Sequence, residues 1–273
     1  MSEKKPSIVR KYISPVGQSI MRSLAFRTNC FTTFIGNLVY LIIIYYLWKA
    51  IFASVGTAEV CGMTFHETMV YLVLASAMYN FMNCWITYNL GEEYISGEII
   101  IDLIKPMDFQ VYYFVTFIGR IIVNFVISFL PTFAIVLFIA KNDLILGGNL
   151  VFYFVSIFIG IVINFGVDFF VGLICFYTES VWGINTMKDV LVALLSGATV
   201  PLAFFPSVFR KIVDFLPFQA IYNAPLEILT NPKLTTLDYC ETLIRQFAWA
   251  VVMILLCRIF WAVAKKRITV NGG

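Results

Sequence analysis

Few side chains in this chain of 273 residues could carry out acid–base or metal chemistry. Its one histidine, His66, has no cysteine partner at the spacing of a zinc site, and the six cysteines are scattered. None of its 16 glycines is followed by lysine, so the chain lacks the Gly-x-x-x-x-Gly-Lys-[Ser/Thr] loop that holds the phosphates of ATP. We therefore expect this chain to have no catalytic residue and to bind no metal or cofactor.

An acidic segment at residues 91–108 is the most informative stretch. Glu98 and Asp102 are four residues apart, which places them on one face of a helix. Apolar residues repeat with the same spacing on another face: Ile95, Ile99 and Leu103. Pro106 is expected to end this helix. The pattern is typical either of an interfacial helix that joins two membrane spans or of a helix that docks into a soluble partner with a basic rim.

Two charged residues lie deep inside apolar runs, Arg120 and Asp168. A charge at mid-depth in a bilayer costs at least about 2.5–3.5 kcal/mol, so each of the two calls for a partner or a function. Both lie roughly 14 Å from the same predicted membrane face by helical rise. We therefore predict that they form an ion pair. The alternative is that Arg120 extends to the lipid headgroups while Asp168 faces a wet cavity.

The elements that hold these residues are predicted to be membrane helices. The chain is 60% hydrophobic and only 13% charged, which excludes an ordinary soluble domain. A span takes about 20 apolar residues, whereas a barrel would show alternating segments of about ten. The net charge of +3 is too dispersed to indicate a nucleic-acid partner. We predict an all-α polytopic protein within residues 31–264, with six spans at about 31–51, 67–90, 111–140, 149–177, 190–205 and 243–264.

The charges near the chain ends predict the orientation of the spans. Residues 1–30 contain six basic residues and are predicted to form an amphipathic helix on the membrane surface, broken at Pro15 and Gly17. Residues 52–66 contain no lysine or arginine, so the positive-inside rule places the N-terminus in the cytoplasm. The basic residues at the start of 265–273 agree with a cytoplasmic C-terminal tail.

The segments on the predicted outer side raise three further points. Residues 206–242 are too apolar for a free loop and too broken for further spans, so we predict re-entrant or interfacial helices. Glu67 begins the second span, where capping of the helix is a simpler explanation than titration. Cys61 and Cys240 are both predicted outside, where they could form a disulfide or remain two free thiols.

This layout resembles an ABC-2 type transporter permease, in the branch that includes daunorubicin- and viologen-type exporters. The resemblance covers essentially the whole chain and rests on the order of its motifs. These are the N-terminal amphipathic helix, the segments Ile95–Ile99 and Leu103–Pro106 before the third span, and Pro201–Pro206 followed by Leu216–Phe218 before the last span.

The resemblance implies an exporter subunit in a bacterial cell membrane that moves an amphiphilic or hydrophobic drug, peptide or lipid out of the cytoplasm. Its partners would be two cytoplasmic ATPase subunits, which bind ATP and Mg²⁺, a second permease that is either a copy or a relative, and membrane lipids. The residues matching the ATPase-coupling position are Glu92, Glu93, Ile95, Gly97, Glu98, Ile99, Asp102, Leu103, Lys105 and Pro106, with a second contact at Glu179 and Trp182. The external gate would include Pro201, Phe205, Pro206 and Pro217.

Two other classes of membrane protein fit the sequence less well. An embedded acyl or prenyl transferase needs clustered aspartates or histidines that face a cavity, and one intramembrane aspartate is too few. An ion-coupled carrier would show inverted repeats and several intramembrane ionisable groups, and neither is evident. A transport permease is therefore the favoured interpretation.

Overall fold

The protein is a bundle of helices in the computed structural model, which describes residues 8–25, 27–83, 85–140, 144, 147–178 and 180–268. The α-helices are α1 Ile8–Ala25, α2 Arg27–Val55, α3 Phe65–Met82, α4 Ile86–Ser96, α5 Ile99–Leu103, α6 Phe109–Asn124, α7 Leu130–Ile139, α8 Asn149–Ile174, α9 Val181–Leu195, α10 Ser207–Asp214, α11 Asn223–Thr230 and α12 Thr236–Ala264. A π-helical turn, Phe125–Phe129, joins α6 to α7, and short 3-10 turns occur at Cys175–Tyr177, Leu202–Phe204 and Lys265–Arg267.

Strand structure in the described residues is limited to one hairpin between α2 and α3. Its strands β1 (Glu59–Val60) and β2 (Met63–Thr64) pair antiparallel. Thr64 then caps α3, because its hydroxyl accepts a hydrogen bond from the Glu67 N–H (3.2 Å) and the Glu67 carboxylate accepts one from the Thr64 N–H (2.8 Å). The capping role predicted for Glu67 is confirmed. Cys61, in the turn of the hairpin, is an exposed free thiol, and so is Cys240.

Five helical segments of the described chain are long and apolar enough to cross a membrane. They are Ile35–Val55, Phe65–Ser96, Phe109–Ile139, Asn149–Tyr177 and Thr236–Arg267. Each overlaps one of the predicted spans, and the all-α polytopic class is confirmed. We use two names for the ends of this bundle: the Cys61 end, with the β-hairpin, and the Gly97 end, with residues 97–108.

The predicted fifth span, residues 190–205, differs from the structure. Helix α9 has 15 residues, a length of about 22 Å, and so is shorter than the roughly 30 Å of a bilayer core. It begins at Val181, earlier than predicted, so that Lys188 and Asp189 lie inside the helix and not before it. It ends at Leu195 because Gly197 adopts a left-handed conformation (φ +79°) and Pro201 is extended.

The N-terminal helix α1 is continuous, so the predicted break at Pro15 and Gly17 is wrong. It packs along α6 at a position where α6 has no side chain. A Cβ built on Gly119 would lie 2.7 Å from the Val16 carbonyl oxygen and 2.9 Å from Ser19 Cβ. This close backbone approach keeps α1 against the bundle.

Helix α8 is the centre of the bundle, and three of its glycines are spaced six residues apart. This is not the four-residue spacing of a single close helix pair. Each glycine faces a different neighbour: a Cβ on Gly160 would lie 2.9 Å from the Ile221 carbonyl oxygen, one on Gly166 2.8 Å from Met253 Cβ, and one on Gly172 3.0 Å from Leu90 Cδ2. The missing side chains therefore let α8 contact three elements at once.

The segment between α9 and α12 folds back into the bundle as two short helices, α10 and α11. Its turn, residues 215–222, reaches the level of Gly160, eleven residues into α8 from the Cys61 end. The buried Gln246 of α12 holds this turn by donating to the Ala220 carbonyl (2.7 Å) and accepting from the Ser156 hydroxyl (2.9 Å). Interior side chains thus supply hydrogen bonds to backbone groups that lie outside the helices, as burial within a bilayer requires.

Candidate functional site

The residues predicted to form one coupling helix do not form a continuous helix. Helix α4 ends at Ser96, and Gly97 follows in the left-handed conformation (φ +80°). Helix α5 has only five residues. The predicted apolar face is therefore wrong, because Ile95 is 54% exposed whereas Ile99 is 1% exposed. The sequence pattern has the period of a helix, but the glycine turn changes the direction of the chain.

A polar network holds the chain that follows Gly97. The Tyr113 hydroxyl of α6 hydrogen-bonds to the Asp102 carboxylate (2.8 Å) and to the Glu93 carboxylate. Lys105 pairs with Asp102 and donates to the Tyr112 hydroxyl (2.7 Å). Burial alone would lower the pKa of Lys105, but its hydrogen bonds to Asp102 and Tyr112 outweigh that effect and raise the pKa. The network joins α4 and α5 to the first turns of α6.

A second anchor joins the start of α6 to α12. Asp108 caps α6 by accepting from the Val111 N–H (3.0 Å), and it forms an ion pair with Arg258. Partial burial acts to raise the pKa of Asp108, but the hydrogen bonds from Arg258 and the backbone have the larger combined effect and lower it. The rings of Phe109 and Trp261 stack beside this pair, with centroids 4.0 Å apart.

Several apolar side chains at the Gly97 end remain exposed despite these anchors. We call this set the Gly97 surface: Ile95 (54% exposed), Ile101 (58%), Leu103 (39%), Ile104 (76%) and Trp182 (75%). Trp182 follows Val181, which packs on α4 so closely that a Cβ on Gly91 would lie 2.6 Å from Val181 Cγ2. Ile101 and Ile104 were not predicted as coupling residues, because they lie outside the helical face assigned to Ile95, Ile99 and Leu103.

The other predicted coupling residues differ in their exposure. Glu92, Glu98 and Pro106 are exposed beside the Gly97 surface, whereas Glu93 and Asp102 are half-buried in the polar network. Glu179 lies outside the described residues.

The most deeply buried charges in the described chain belong to α8 and α9. Lys188 of α9 forms an ion pair with Asp168 of α8, and their side chains are 5% and 3% exposed. Lys188 also contacts Asp189 (2.8 Å), which accepts a hydrogen bond from the Asn185 amide (2.9 Å). Asp168 was predicted as a buried ion-pair partner, but Lys188 was assigned to a loop and was therefore missed.

The predicted Arg120–Asp168 pair must be corrected. The cation in ion-pair contact with Asp168 is Lys188, and the Arg120 guanidinium lies 5.8 Å from the centre of the Trp85 ring. The predicted common depth of Arg120 and Asp168 is also wrong. Phe117 of α6 stacks against Phe165 of α8, and the two helices run antiparallel, so the two charges lie on opposite sides of this level, roughly 9 Å apart along the bundle axis. Lys188 was missed because its segment was placed outside the membrane.

The segment Phe65–Ser96 is interrupted next to this ion pair. Helix α3 ends at Met82, and α4 begins at Ile86. The Asn164 amide of α8 donates to the Met82 carbonyl (2.8 Å), the Asp168 carboxylate accepts from the Ile86 N–H (3.2 Å), and the Thr87 hydroxyl donates to the Asp168 carbonyl (2.8 Å). Polar side chains of α8 thus replace the backbone hydrogen bonds that a continuous helix would make.

A narrow cleft opens at this interruption. The residues that line it come from α3, α8, α9 and the turn before α11: Tyr79, Asn83, Asn164, Asp168, Lys188, Asp189, Val192 and Tyr222. Most are polar, although the cleft lies within apolar helices. A signal for it exists in the sequence, because Asn83, Asn164 and the pair Lys188–Asp189 are polar residues in hydrophobic runs.

The predicted gate residues lie toward the Cys61 end. Pro201 and Pro217 are buried, whereas Pro206 is exposed at the start of α10. The Phe205 ring packs edge to face on Phe209 (5.3 Å). The prolines therefore mark the turns that bring α10 and α11 back into the bundle.

Five helical segments of membrane length in the described residues define a polytopic integral membrane protein. Residues 38–272 match the family described as ABC-2 family transporter protein. Because this match covers most of the chain, the protein belongs to that family. It is a membrane permease of an ABC transporter, a transport subunit and not an enzyme, and such permeases associate with ABC ATPase subunits. No curated protein matches the chain.

Proposed function

We propose that this chain is the permease of an ATP-driven exporter and that its ATPase subunits dock on the Gly97 surface. The observation that carries the proposal is the exposure of Ile101 and Ile104, between the membrane-length segments Phe65–Ser96 and Phe109–Ile139, and of Trp182 in the first turn of α9. Exposed apolar side chains that cluster outside a bilayer mark an interaction site. ATP and Mg²⁺ would bind to the partner, since this chain has no phosphate-binding loop.

The connection from this surface to the bundle interior supports its role in coupling. Helix α4 runs from Gly97 to the interruption beside Asp168, and it packs on α9 through Gly91. The stacked rings of Tyr94 and Phe176 (4.5 Å) attach it to the end of α8. A displacement of the Gly97 surface would therefore be transmitted to the buried ion pair.

Recovery of an ABC ATPase with the purified permease tests this docking site. The permease is co-expressed with a candidate ATPase subunit, and the amount of ATPase retained on the tagged permease is measured. We expect Ile104→Ser to reduce that amount at least fivefold. The matched control is Val208→Ser, which removes a side chain of similar exposure (73%) at α10, away from the Gly97 end. Equal recovery with the two variants would contradict the proposal.

The proposed cargo is an amphiphilic or hydrophobic compound, moved out of a bacterial cytoplasm beside a second permease that is a copy or a relative. The apolar surface of α2 supports both the hydrophobic character of the cargo and the presence of a second permease, because Ile42, Ile43 and Tyr46 are each more than half exposed. Such a face suits lipid, cargo or a second permease. Transport assays with inverted vesicles that contain the complex would test the direction, since an exporter accumulates its cargo inside them.

The proposed orientation places the Gly97 end and both termini in the cytoplasm. The exposed thiol of Cys61 provides a direct test. We expect a membrane-impermeant maleimide to label Cys61 in intact cells when the other cysteines are replaced by serine. A cysteine introduced at Ile104 in the same background should react only after the cells are opened. The opposite pattern would overturn this orientation.

A further inference from the structure

The Tyr113 hydroxyl lies between two carboxyl groups at the Gly97 end. Its oxygen is 2.8 Å from Asp102 Oδ2 of α5 and is also hydrogen-bonded to the carboxyl group of Glu93 in α4. Tyr113 itself is only 6% exposed. A phenol has one proton to donate, whereas an ionised carboxylate can only accept. Tyr113 therefore cannot supply both hydrogen bonds if both carboxyl groups are ionised.

A second proton is needed, and a neighbouring charge indicates which carboxyl group holds it. Asp102 forms an ion pair with Lys105, and the side chain of Asp102 is 11% exposed. An adjacent positive charge favours the ionised form of a carboxyl group, so Asp102 is the carboxylate of the two. The proton then belongs to Glu93. The Glu93 carboxyl group donates it to the Tyr113 oxygen, and the Tyr113 hydroxyl donates to Asp102.

The other surroundings of Glu93 are an apolar ring and more distant charges. Phe169 of α8 lies 6.1 Å from the Tyr113 ring. The titratable groups that the neighbouring elements place around α4 are Asp168 of α8, Lys188 and Asp189 of α9, Cys175 and Tyr177 in the turn after α8, Glu98, Asp102 and Lys105 in and beside α5, and Asp108, Tyr112 and Tyr113 at the start of α6. Among these groups, Tyr113, Asp102 and Lys105 act on Glu93 most strongly.

Loss of the proton from Glu93 would change the contact from attraction to repulsion. Two negative charges would then face one hydroxyl, which can donate to only one of them. Residues 98–105 carry Ile101 and Ile104 of the Gly97 surface, and Asp102 is the residue that bonds this segment to Tyr113. Repulsion between Glu93 and Asp102 would therefore separate the segment from α4.

We propose that Glu93 forms a proton-dependent contact that holds residues 98–105, and with them the Gly97 surface, against α4 and α6. The inference rests on the proposed function in that it assigns a regulation to the same docking surface. A fall in cytoplasmic pH keeps the proton on Glu93 and favours docking, whereas a rise in pH releases the segment and weakens docking.

Infrared difference spectroscopy on the full chain in lipid nanodiscs detects this proton directly. A protonated carboxyl group has a C=O stretching band that a carboxylate lacks. We expect the wild type to show such a band at neutral pH and to lose it at alkaline pH, and we expect Glu93→Gln to lack it. Glu92→Gln is the matched control, because it removes an exposed carboxyl group one residue earlier in α4. A wild-type spectrum without a pH-dependent band, or the same band in Glu93→Gln, would overturn the proposal.

Hydrogen–deuterium exchange of the same samples measures the structural consequence. Protection factors of residues 98–105, corrected for the chemical effect of pH, should fall by roughly threefold or more between neutral and alkaline pH. Glu93→Gln should keep them constant, because its neutral amide still donates to Tyr113, whereas Glu92→Gln should behave as the wild type. Equal pH dependence in Glu93→Gln and the wild type would refute the role of Glu93. Neither measurement includes an ATPase, so failure here is distinct from loss of docking at the Gly97 surface.

Discussion

The Lys188 ammonium of α9 contacts the Asp168 carboxylate of α8, and each side chain is at most 5% exposed. The same carboxylate accepts the Ile86 N–H at the start of α4 (3.2 Å). One aspartate therefore connects the short helix α9, the central helix α8 and the interruption between α3 and α4. Neither charge could remain buried without the other, because the desolvation of a single ion is too costly.

Removal of the ammonium should therefore destabilise the fold strongly. We expect Lys188→Met to lower the free energy of unfolding by about 3–5 kcal/mol, the usual cost of leaving one partner of a buried pair. Denaturant unfolding in detergent measures this loss. Adding Asp168→Asn to Lys188→Met should restore part of it, since the buried negative charge that the ammonium had balanced is then gone. Lys211→Met, at an exposed lysine of α10, is the control and should change little. Wild-type stability in Lys188→Met would contradict the assignment.

The contact between α1 and α6 should fail if Gly119 gains a side chain. Gly119→Leu would push against the Val16 backbone, which already lies 2.7 Å from the position of a Cβ. Overpacking of this kind costs about 1–3 kcal/mol, and separation of α1 relieves it. Hydrogen–deuterium exchange should then become faster in residues 12–25. Gly36→Leu in α2 is the matched control, because its Cβ would meet nothing within 4 Å. Unchanged exchange in Gly119→Leu would show that α1 does not depend on this contact.

The Asp108–Arg258 pair predicts a specific pH dependence of stability. The pKa of Asp108 is lowered in the folded protein below its ordinary 3.8, so the pair stabilises the fold above that pH. Its contribution is lost as the pH falls through the lowered pKa. Asp108→Asn retains a capping side chain and removes only the charge. We expect the variant to be less stable than the wild type at pH 7, by at most about 1 kcal/mol because both side chains are partly exposed.

Thermal unfolding at a series of pH values measures this difference. The gap between the wild type and Asp108→Asn should stay constant down to about pH 5 and close below the ordinary pKa of an aspartate. A gap that widens in acid would show that Asp108 does not act through its charge.

The sequence was sufficient to predict the class of the fold. Apolar runs identify the long helices because a bilayer requires them. The pairing of Asp168 with Arg120 was wrong because counting residues from the ends of the predicted spans placed both at one depth, whereas the contact between Phe117 and Phe165 sets them roughly 9 Å apart. The short helix α9 was misplaced for a related reason: Lys188 looks like a loop residue until Asp168 is found opposite it.

The coupling segment illustrates a second limit. The four-residue spacing of Ile95 and Ile99 is real, but Gly97 lies between them and takes a left-handed conformation that ends α4. Glycine in a helical pattern allows either continuation or a turn, and the tertiary contacts decide between them. Here the bonds from Tyr113 to Glu93 and Asp102 favour the turn, and no local pattern reveals these contacts.

The returning turn before α11 depends on Gln246, and this gives a last prediction. Gln246 is 1% exposed, and its amide donates to the Ala220 carbonyl (2.7 Å) while its oxygen accepts from the Ser156 hydroxyl (2.9 Å). Gln246→Leu would leave both partners buried without those bonds, at a cost of about 1–3 kcal/mol for each. We expect a lower melting temperature and faster hydrogen–deuterium exchange in residues 215–222.

A double-mutant cycle separates this bond network from a general packing effect. Ser156→Ala removes one partner, so Gln246→Leu should cost less in that background than in the wild type. Gln18→Leu, at an exposed glutamine of α1, is the control for the change of side chain and should leave residues 215–222 unaffected. If the two substitutions proved additive, Ser156 would not belong to the network. If Gln246→Leu also left exchange unchanged, other contacts would have to hold the turn at the level of Gly160.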